Sequence, residues 1–189
     1  MTVSENIHQS VSLTEDEKLI VGRLFKQVTV IKNEFWIEEG KVCNHIAFVQ
    51  SGKLRVFYHD TEGDEVTCYF AMPDSFISSY SSFLTNTSTK ENISVMEDSV
   101  LQVISKKDLE RLSEKIPKIH IWRRIITENI FIIMEKRIHM LQTQSAHERY
   151  ENLMQENPEI VLTVPLQYTA SYLGISPQHL SRLRKNLIT

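Results

Sequence analysis

Residues Pro165 to Lys185 read PLQYTASYLGISPQHLSRLRK, and the rest of the chain is best understood outward from them. Leu166, Ala170 and Leu173 recur at helical spacing and predict one short amphipathic helix. Gly174 ends it, because glycine enters the left-handed backbone region that a tight inter-helix turn requires. Ile175 is expected to plug the junction. Ser176 can cap a second helix, with Pro177 at its first position, where a missing N–H is harmless. Leu180, Leu183 and Leu187 give this second helix a buried stripe. Ala170 suits a close crossing of the two, since a larger side chain would hold them apart. The pattern predicts a helix–turn–helix.

The opposite face of the second helix carries Gln178, His179, Ser181, Arg182, Arg184 and Lys185, with no acid among them. The last acid in the chain is Glu159. Such residues are suited to base edges and phosphates. Arg182 is the expected base reader, since arginine pairs bidentately with guanine. Gln178, His179 and Ser181 come next, beside the capping Ser176. Arg184 and Lys185 are assigned to phosphates. The competing reading is an ordinary helical hairpin whose cations are a solvated face. The combination of Ala, Gly, Ser-Pro cap and acid-free polar face favours double-stranded DNA.

The chain has 189 residues, 41% hydrophobic and 24% charged, an ordinary globular composition. Its net charge of −3 does not advertise nucleic-acid binding, but the basic residues are segregated at the C-terminal end. The two cysteines, Cys43 and Cys68, make no disulfide framework and read as reduced thiols packed in the interior. No signal-peptide pattern is visible, and the apolar run 119–134 is interrupted by Arg123, Arg124, Glu128 and Asn129. A cytoplasmic protein without membrane contact is expected.

Residues 1–10 read as a loose lead-in. A helix follows from Ser12, capped by Thr14 or Ser12, with Leu19, Ile20, Leu24 and Phe25 as its apolar face. From about Val28 to Ser105, short β-rich runs alternate with turn signals at Gly40, Gly52 and Gly63. Within KLRVFYH, Leu54, Val56 and Tyr58 alternate with Arg55, Phe57 and His59, so the strand should have two unlike faces. An antiparallel roll of about eight strands is expected. A small helix follows at 106–116, ended by Pro117, and then a long one over 118–144. Ile119, Trp122, Ile126, Ile133 and Met140 form one apolar stripe on it, with Asn129 inside. Ile125, Ile130 and Ile132 form another. Two stripes ask for two partners, one being the same helix in a second subunit. A further helix starts at Ser145, with Tyr150, Leu153 and Met154 inward, and stops at Asn157-Pro158. VLTVP then leads into the helix–turn–helix.

The fold class is therefore α+β: an antiparallel jelly-roll over 1–117, a dimerisation helix over 118–144 and a helix–turn–helix domain over 145–189. This order resembles the Crp/Fnr superfamily of bacterial transcription regulators over nearly the whole chain. The resemblance is carried by the hairpin text FVQSGKLRV at 48–56, by Glu62-Gly63-Asp64-Glu65, by FAMPDSF at 70–76 and by TASYLGISPQHLSRLRK at 169–185. The last of these looks like the motif of Bacteroidetes-type members. It implies a cyclic-nucleotide-binding-like roll, a homodimer, a two-fold symmetric operator read in adjacent major grooves, and RNA polymerase as a further partner.

Nucleotide-binding members hold the ribose with a Gly-Glu pair and the cyclic phosphate with Arg-Ser or Arg-Thr. Here Ser78-Ser79 stands in the first place and Lys90-Glu91 in the second. Lysine lacks the bidentate fork, and Glu91 would repel the anion. No response to cyclic AMP or cyclic GMP is expected, while the hydroxyl-rich 78–91 segment keeps an unknown small-molecule effector in view. Two cysteines cannot supply the four thiolates of an iron–sulfur cluster. No HxH pair, second histidine of HExxH, phosphate loop or nucleophile elbow occurs, so neither a metal site nor an enzyme is expected. The alternative function is a small-molecule-binding or protein-interaction roll without sequence-specific DNA reading.

Overall fold

The computed structural model describes residues 1–186. The chain forms two compact units. The first joins Met1–Val56 with Phe70–Glu128, and the second joins Phe57–Tyr69 with Asn129–Thr189. These divisions differ from the expected domains in two ways. The long helix contributes to both units, and a β-hairpin tip from the middle of the chain belongs with the C-terminal helices.

The first unit begins with two capped helices. The expected loose lead-in is instead α1 (Val3–Val11). Its capping box pairs the Thr2 hydroxyl with the Glu5 amide and the Glu5 carboxylate with the Thr2 amide, and Val3 and Ile7 are fully buried. Helix α2 (Glu15–Leu24) repeats the device with Thr14 and Glu17. Its expected apolar face is only partly right: Phe25 and Val21 are buried, whereas Leu19 is 59% exposed.

Six strands follow: β1 (Lys26–Val30), β2 (Phe35–Ile37), β3 (His45–His59), β4 (Glu65–Ala71), β5 (Phe76–Ile77) and β6 (Asn92–Ser105). They form one sheet in the order β1-β6-β3-β4, with β2 also on β6 and β5 on β3. The register pairs Lys26 with Val103 and Ala47 with Ile77, both antiparallel. The count falls short of eight because two pairs of short runs merge. HIAFVQSG and KLRVFYH are one strand, β3, which passes through Gly52 at φ +93°. A Cβ at Gly52 would stand 2.6 Å from the Ser99 Cα on β6, so both the backbone angle and the space demand glycine. ISVMEDS and VLQVIS likewise fuse into β6. Leu54 to Phe57 are all buried, Arg55 to 2% exposure, so the expected unlike faces are both covered.

Helix α3 (Tyr80–Thr85) follows β5, and α4 (Lys106–Lys115), capped by Ser105, follows β6. The core gathers Val3, Ile7, Val21, Phe48, Phe83, Leu109, Leu112, Ile119 and Trp122. Phe76 lies 5.1 Å from both Phe48 and Trp122, tilted or edge-on in each case.

Helix α5 (Lys118–Thr143) matches its expected span. Ile119 and Trp122 are buried, but Ile132 and Ile133 are exposed, and so is Asn129. The second unit continues with α6 (Ala146–Glu156), α7 (Pro158–Thr163), α8 (Leu166–Leu173) and α9 (Pro177–Asn186). Tyr150 and Leu153 are inward as expected, whereas Met154 is 38% exposed. VLTVP is not a plain lead-in: Pro158 opens α7, which runs to Thr163.

Candidate nucleic-acid interface and effector segment

Helices α8 and α9 form the helix–turn–helix that the spacing predicts. Gly174 terminates α8 in the left-handed conformation (φ 66°, ψ 38°). The Ile175 amide then donates to the Ala170 carbonyl at 3.1 Å. Ala170, Leu173 and Leu180 are fully buried, Thr169 with them, while Leu166, Ile175 and Leu183 are half-buried. Leu187 lies outside the described residues. The Ser176 hydroxyl accepts from the His179 amide at 3.2 Å, so it spends an acceptor on the cap. From α6, Arg149 donates through Nε to the Leu173 carbonyl at 2.8 Å and through Nη1 to the Gln144 carbonyl at 2.7 Å. One guanidinium thus satisfies terminal carbonyls of α8 and of the segment closing α5.

Gln178, Ser181, Arg182 and Lys185 fall at i, i+3, i+4 and i+7, the spacing of a single helical face. Gln178, Arg182 and Lys185 are exposed and Ser181 is half-buried. His179 and Ser176 are exposed beside that face. Arg184 is placed elsewhere. It is half-buried, and its Nη2 donates to the Val161 carbonyl of α7 at 2.9 Å.

Sequence reading missed the hairpin tip in this unit. The Ser171 hydroxyl on α8 accepts from the Thr67 amide at 2.9 Å and donates to the Glu65 carbonyl at 2.9 Å. Next to it, the Arg137 guanidinium of α5 lies 4.0 Å from the Tyr172 ring centroid. Burial pushes the Arg137 pKa down and the Tyr172 pKa up from their ordinary values. Nothing local in the sequence marks Ser171, because its partners lie about a hundred residues away.

In the first unit, the effector candidates do not form the expected set. Ser79 is 1% exposed, and its hydroxyl stands 2.7 Å from that of Thr89, itself buried. Thr89, not Lys90, therefore faces Ser79. Lys90 is exposed and Glu91 is half-buried. The loop is stitched down on both sides: Gly40 donates to the Thr89 carbonyl and Thr89 to the Lys41 carbonyl, each at 2.8 Å. The Ser78 hydroxyl donates to the His45 carbonyl at 2.9 Å, and the Cys43 thiol lies 3.3 Å from that hydroxyl. Cys43 is buried as expected, while Cys68 is only half-buried. Among the described residues no cluster of His, Cys, Asp or Glu suits a metal, and no helix is long and apolar enough to cross a membrane.

Residues 27–115 match the family described as cyclic nucleotide-binding domain. FixK2 from Bradyrhizobium japonicum superposes with a TM-score of 0.75 at 15% identity, over 86% of this chain and 84% of that one. A CooA variant from Carboxydothermus hydrogenoformans gives 0.73 at 17% identity, over 98% and 84%. A regulator from Eubacterium rectale, assigned to the Crp/Fnr family, gives 0.69 at 16%, over 92% and 83%. The chain has the Crp/Fnr fold. No curated protein matches the sequence. At these identities the neighbours establish the Crp/Fnr architecture.

Proposed function

We propose that this protein is a DNA-binding transcription regulator of the Crp/Fnr type, acting as a homodimer on a two-fold symmetric operator. The observation that carries the reading is α9: an exposed, acid-free face bearing Gln178, Arg182 and Lys185 on a helix fixed by a glycine turn and a serine cap. Arg182 reads a base and Lys185 a phosphate. Dimerisation is supported by α5. Phe131, Met134, Ile138 and Leu141 follow the 3-4-3 spacing of a coiled-coil seam and are 67%, 42%, 56% and 45% exposed in the single chain. This seam differs from the stripes read in the sequence. The roll does not respond to cyclic AMP or cyclic GMP, because Ser79 and Thr89 offer no charge to a ribose or phosphate. RNA polymerase is the expected partner at a promoter.

The test is selection of bound fragments from randomised duplex DNA with wild type and Arg182→Ala in parallel. Wild type should enrich a two-fold symmetric site, and Arg182→Ala should lose about 1–3 kcal/mol and blur one position in each half. An equal loss on every sequence would remove the base-reading role of Arg182.

A further inference from the structure

Within the second unit, the bend between α5 and the helix–turn–helix is clasped by one guanidinium. Gln144 still belongs to the last turn of α5, since its amide donates to the Met140 carbonyl at 3.2 Å. Arg149, near the start of α6, donates through Nη1 to the Gln144 carbonyl at 2.7 Å and through Nε to the Leu173 carbonyl at 2.8 Å. Leu173 is the last residue of α8, and the Gly174 turn that leads to α9 follows it directly. The planar fork of arginine fixes direction as well as distance. Both acceptors close helices, where carbonyls carry partial negative charge, so a cation holds them better than a neutral donor would. Two further contacts brace the same bend. Asn152 donates from α6 to the Gln144 side-chain oxygen at 3.1 Å. A Cβ on Gly174 would lie 3.3 Å from the Leu141 Cδ2, so the turn itself rests against α5. Leu141, 45% exposed, is also a member of the apolar seam described above.

We infer, resting on the homodimeric DNA reader proposed above, that Arg149 is a positioning residue. It fixes the angle at which α9 leaves the α5 seam, and so the distance between half-sites that the dimer accepts. The ten residues of α9 span about 15 Å at about 1.5 Å each. A rotation of about 13° at the clasp moves a point about 15 Å away by about 3.4 Å, the rise of one base pair. Two-fold symmetry applies the same rotation to both copies, so their separation changes by up to about two base pairs. Helices that must enter successive major grooves lose contacts with an error of that size, because the groove returns to the same side only once in about 34 Å. Arg149 is half-buried on α6, away from the exposed face of α9. It therefore acts through the geometry of α9 and leaves the choice of bases to Gln178 and Arg182.

The experiment uses the full chain and duplexes carrying two copies of the half-site that wild type selects. Their separation is stepped one base pair at a time around one helical turn. Wild type should prefer a single spacing. Arg149→Gln should select the same bases but spread to longer and shorter spacings. Its preference for the wild-type spacing over the next should be weaker by at least about threefold, since each charged bond lost to a carbonyl is worth more than that factor. A merely structural role would lower binding at every spacing alike and leave this ratio unmoved. If wild type selects a pair of half-sites and Arg149→Gln keeps the same spacing preference, at whatever affinity, the inference is overturned while the DNA reading stands. A change in the bases selected by Arg149→Gln overturns it equally. If wild type enriches no site, the DNA reading falls and the positioning role with it. Should Arg149→Gln fail to fold, Arg149→Lys, which keeps the charge without the planar fork, provides the same comparison.

Discussion

Replacing Ser171 by alanine should release the hairpin tip from α8, and the size of the effect can be worked from the two bonds involved. The hydroxyl accepts from the Thr67 amide and donates to the Glu65 carbonyl, each at 2.9 Å. Each such bond contributes about 1 kcal/mol net, and a buried amide that loses an acceptor costs somewhat more. Thr67 is fully buried, so a total of about 2–3 kcal/mol is expected for local opening of the tip. That corresponds to a rise of about thirtyfold or more in the open population, at a factor of ten per 1.4 kcal/mol. Native-state hydrogen exchange at the Thr67 amide reads this population directly. Ser171→Thr keeps the hydroxyl and should retain most of the protection. If Ser171→Ala folds and the Thr67 amide exchanges as slowly as in wild type, the hairpin is held by something other than this hydroxyl and the reasoning fails.

Arg184→Ala should destabilise the C-terminal unit by about 1.5–3 kcal/mol, because a charged donor to the Val161 carbonyl is lost. The salt dependence of DNA binding by the folded variant should be unchanged, and a flatter salt slope would return Arg184 to phosphate contact. Gly52→Val should cost about 3 kcal/mol or more, seen as a lower melting temperature, from the positive φ and the closeness of Ser99; an unchanged melting temperature would contradict the packing described. The Glu5, Glu17 and Glu148 carboxyls sit below the ordinary carboxylate range, chiefly because the amides of Thr2, Thr14 and Ser145 donate to them, with Lys118 also helping Glu17. Their folded pKa values being depressed, they contribute stability above the unfolded value of about 4.3, and that contribution is lost as pH falls through the lowered values. Carboxyl carbon shifts followed by NMR should titrate below the ordinary midpoint for all three; a midpoint at or above it would deny the capping boxes.

Much of the fold was legible because the signals are local. The Gly174 turn, the Ser176-Pro177 start and the break at Pro117 each depend on neighbours within a few residues. The α1 helix is written there too, as the capping-box text Thr2-Val3-Ser4-Glu5, but its apolar face is short, Val3, Ile7 and Val11, and does not stand out from the polar residues around it. Merged strands were harder, since Gly52 reads as a turn unless Ser99 is known to lie against it. The candidate site divides in the same way. The face of α9 follows from periodicity, whereas the inward turn of Arg184 depends on where the α7 carbonyl of Val161 stands. The partner of Ser79 is displaced by one residue from its expected place because backbone bonds between Gly40, Lys41 and Thr89 set the loop register. Ser171 carries no signal at all, since its meaning is a pairing across 104 positions.

The second unit is assembled from two separate stretches of chain, Phe57–Tyr69 and Asn129 onward. A unit built in this way cannot be lifted out by a single cut. A fragment beginning at Asn129 would carry Ser171 and Arg137 into solvent without the hairpin edge that meets them here. A transplant onto another roll would have to bring residues 57–69 along or supply a hairpin of matching hydrogen-bond register. In breeding terms the helix–turn–helix and residues 57–69 form one linkage group: exchange of either alone between chains of this fold should give chimaeras that fold poorly, and exchange of both together should restore them.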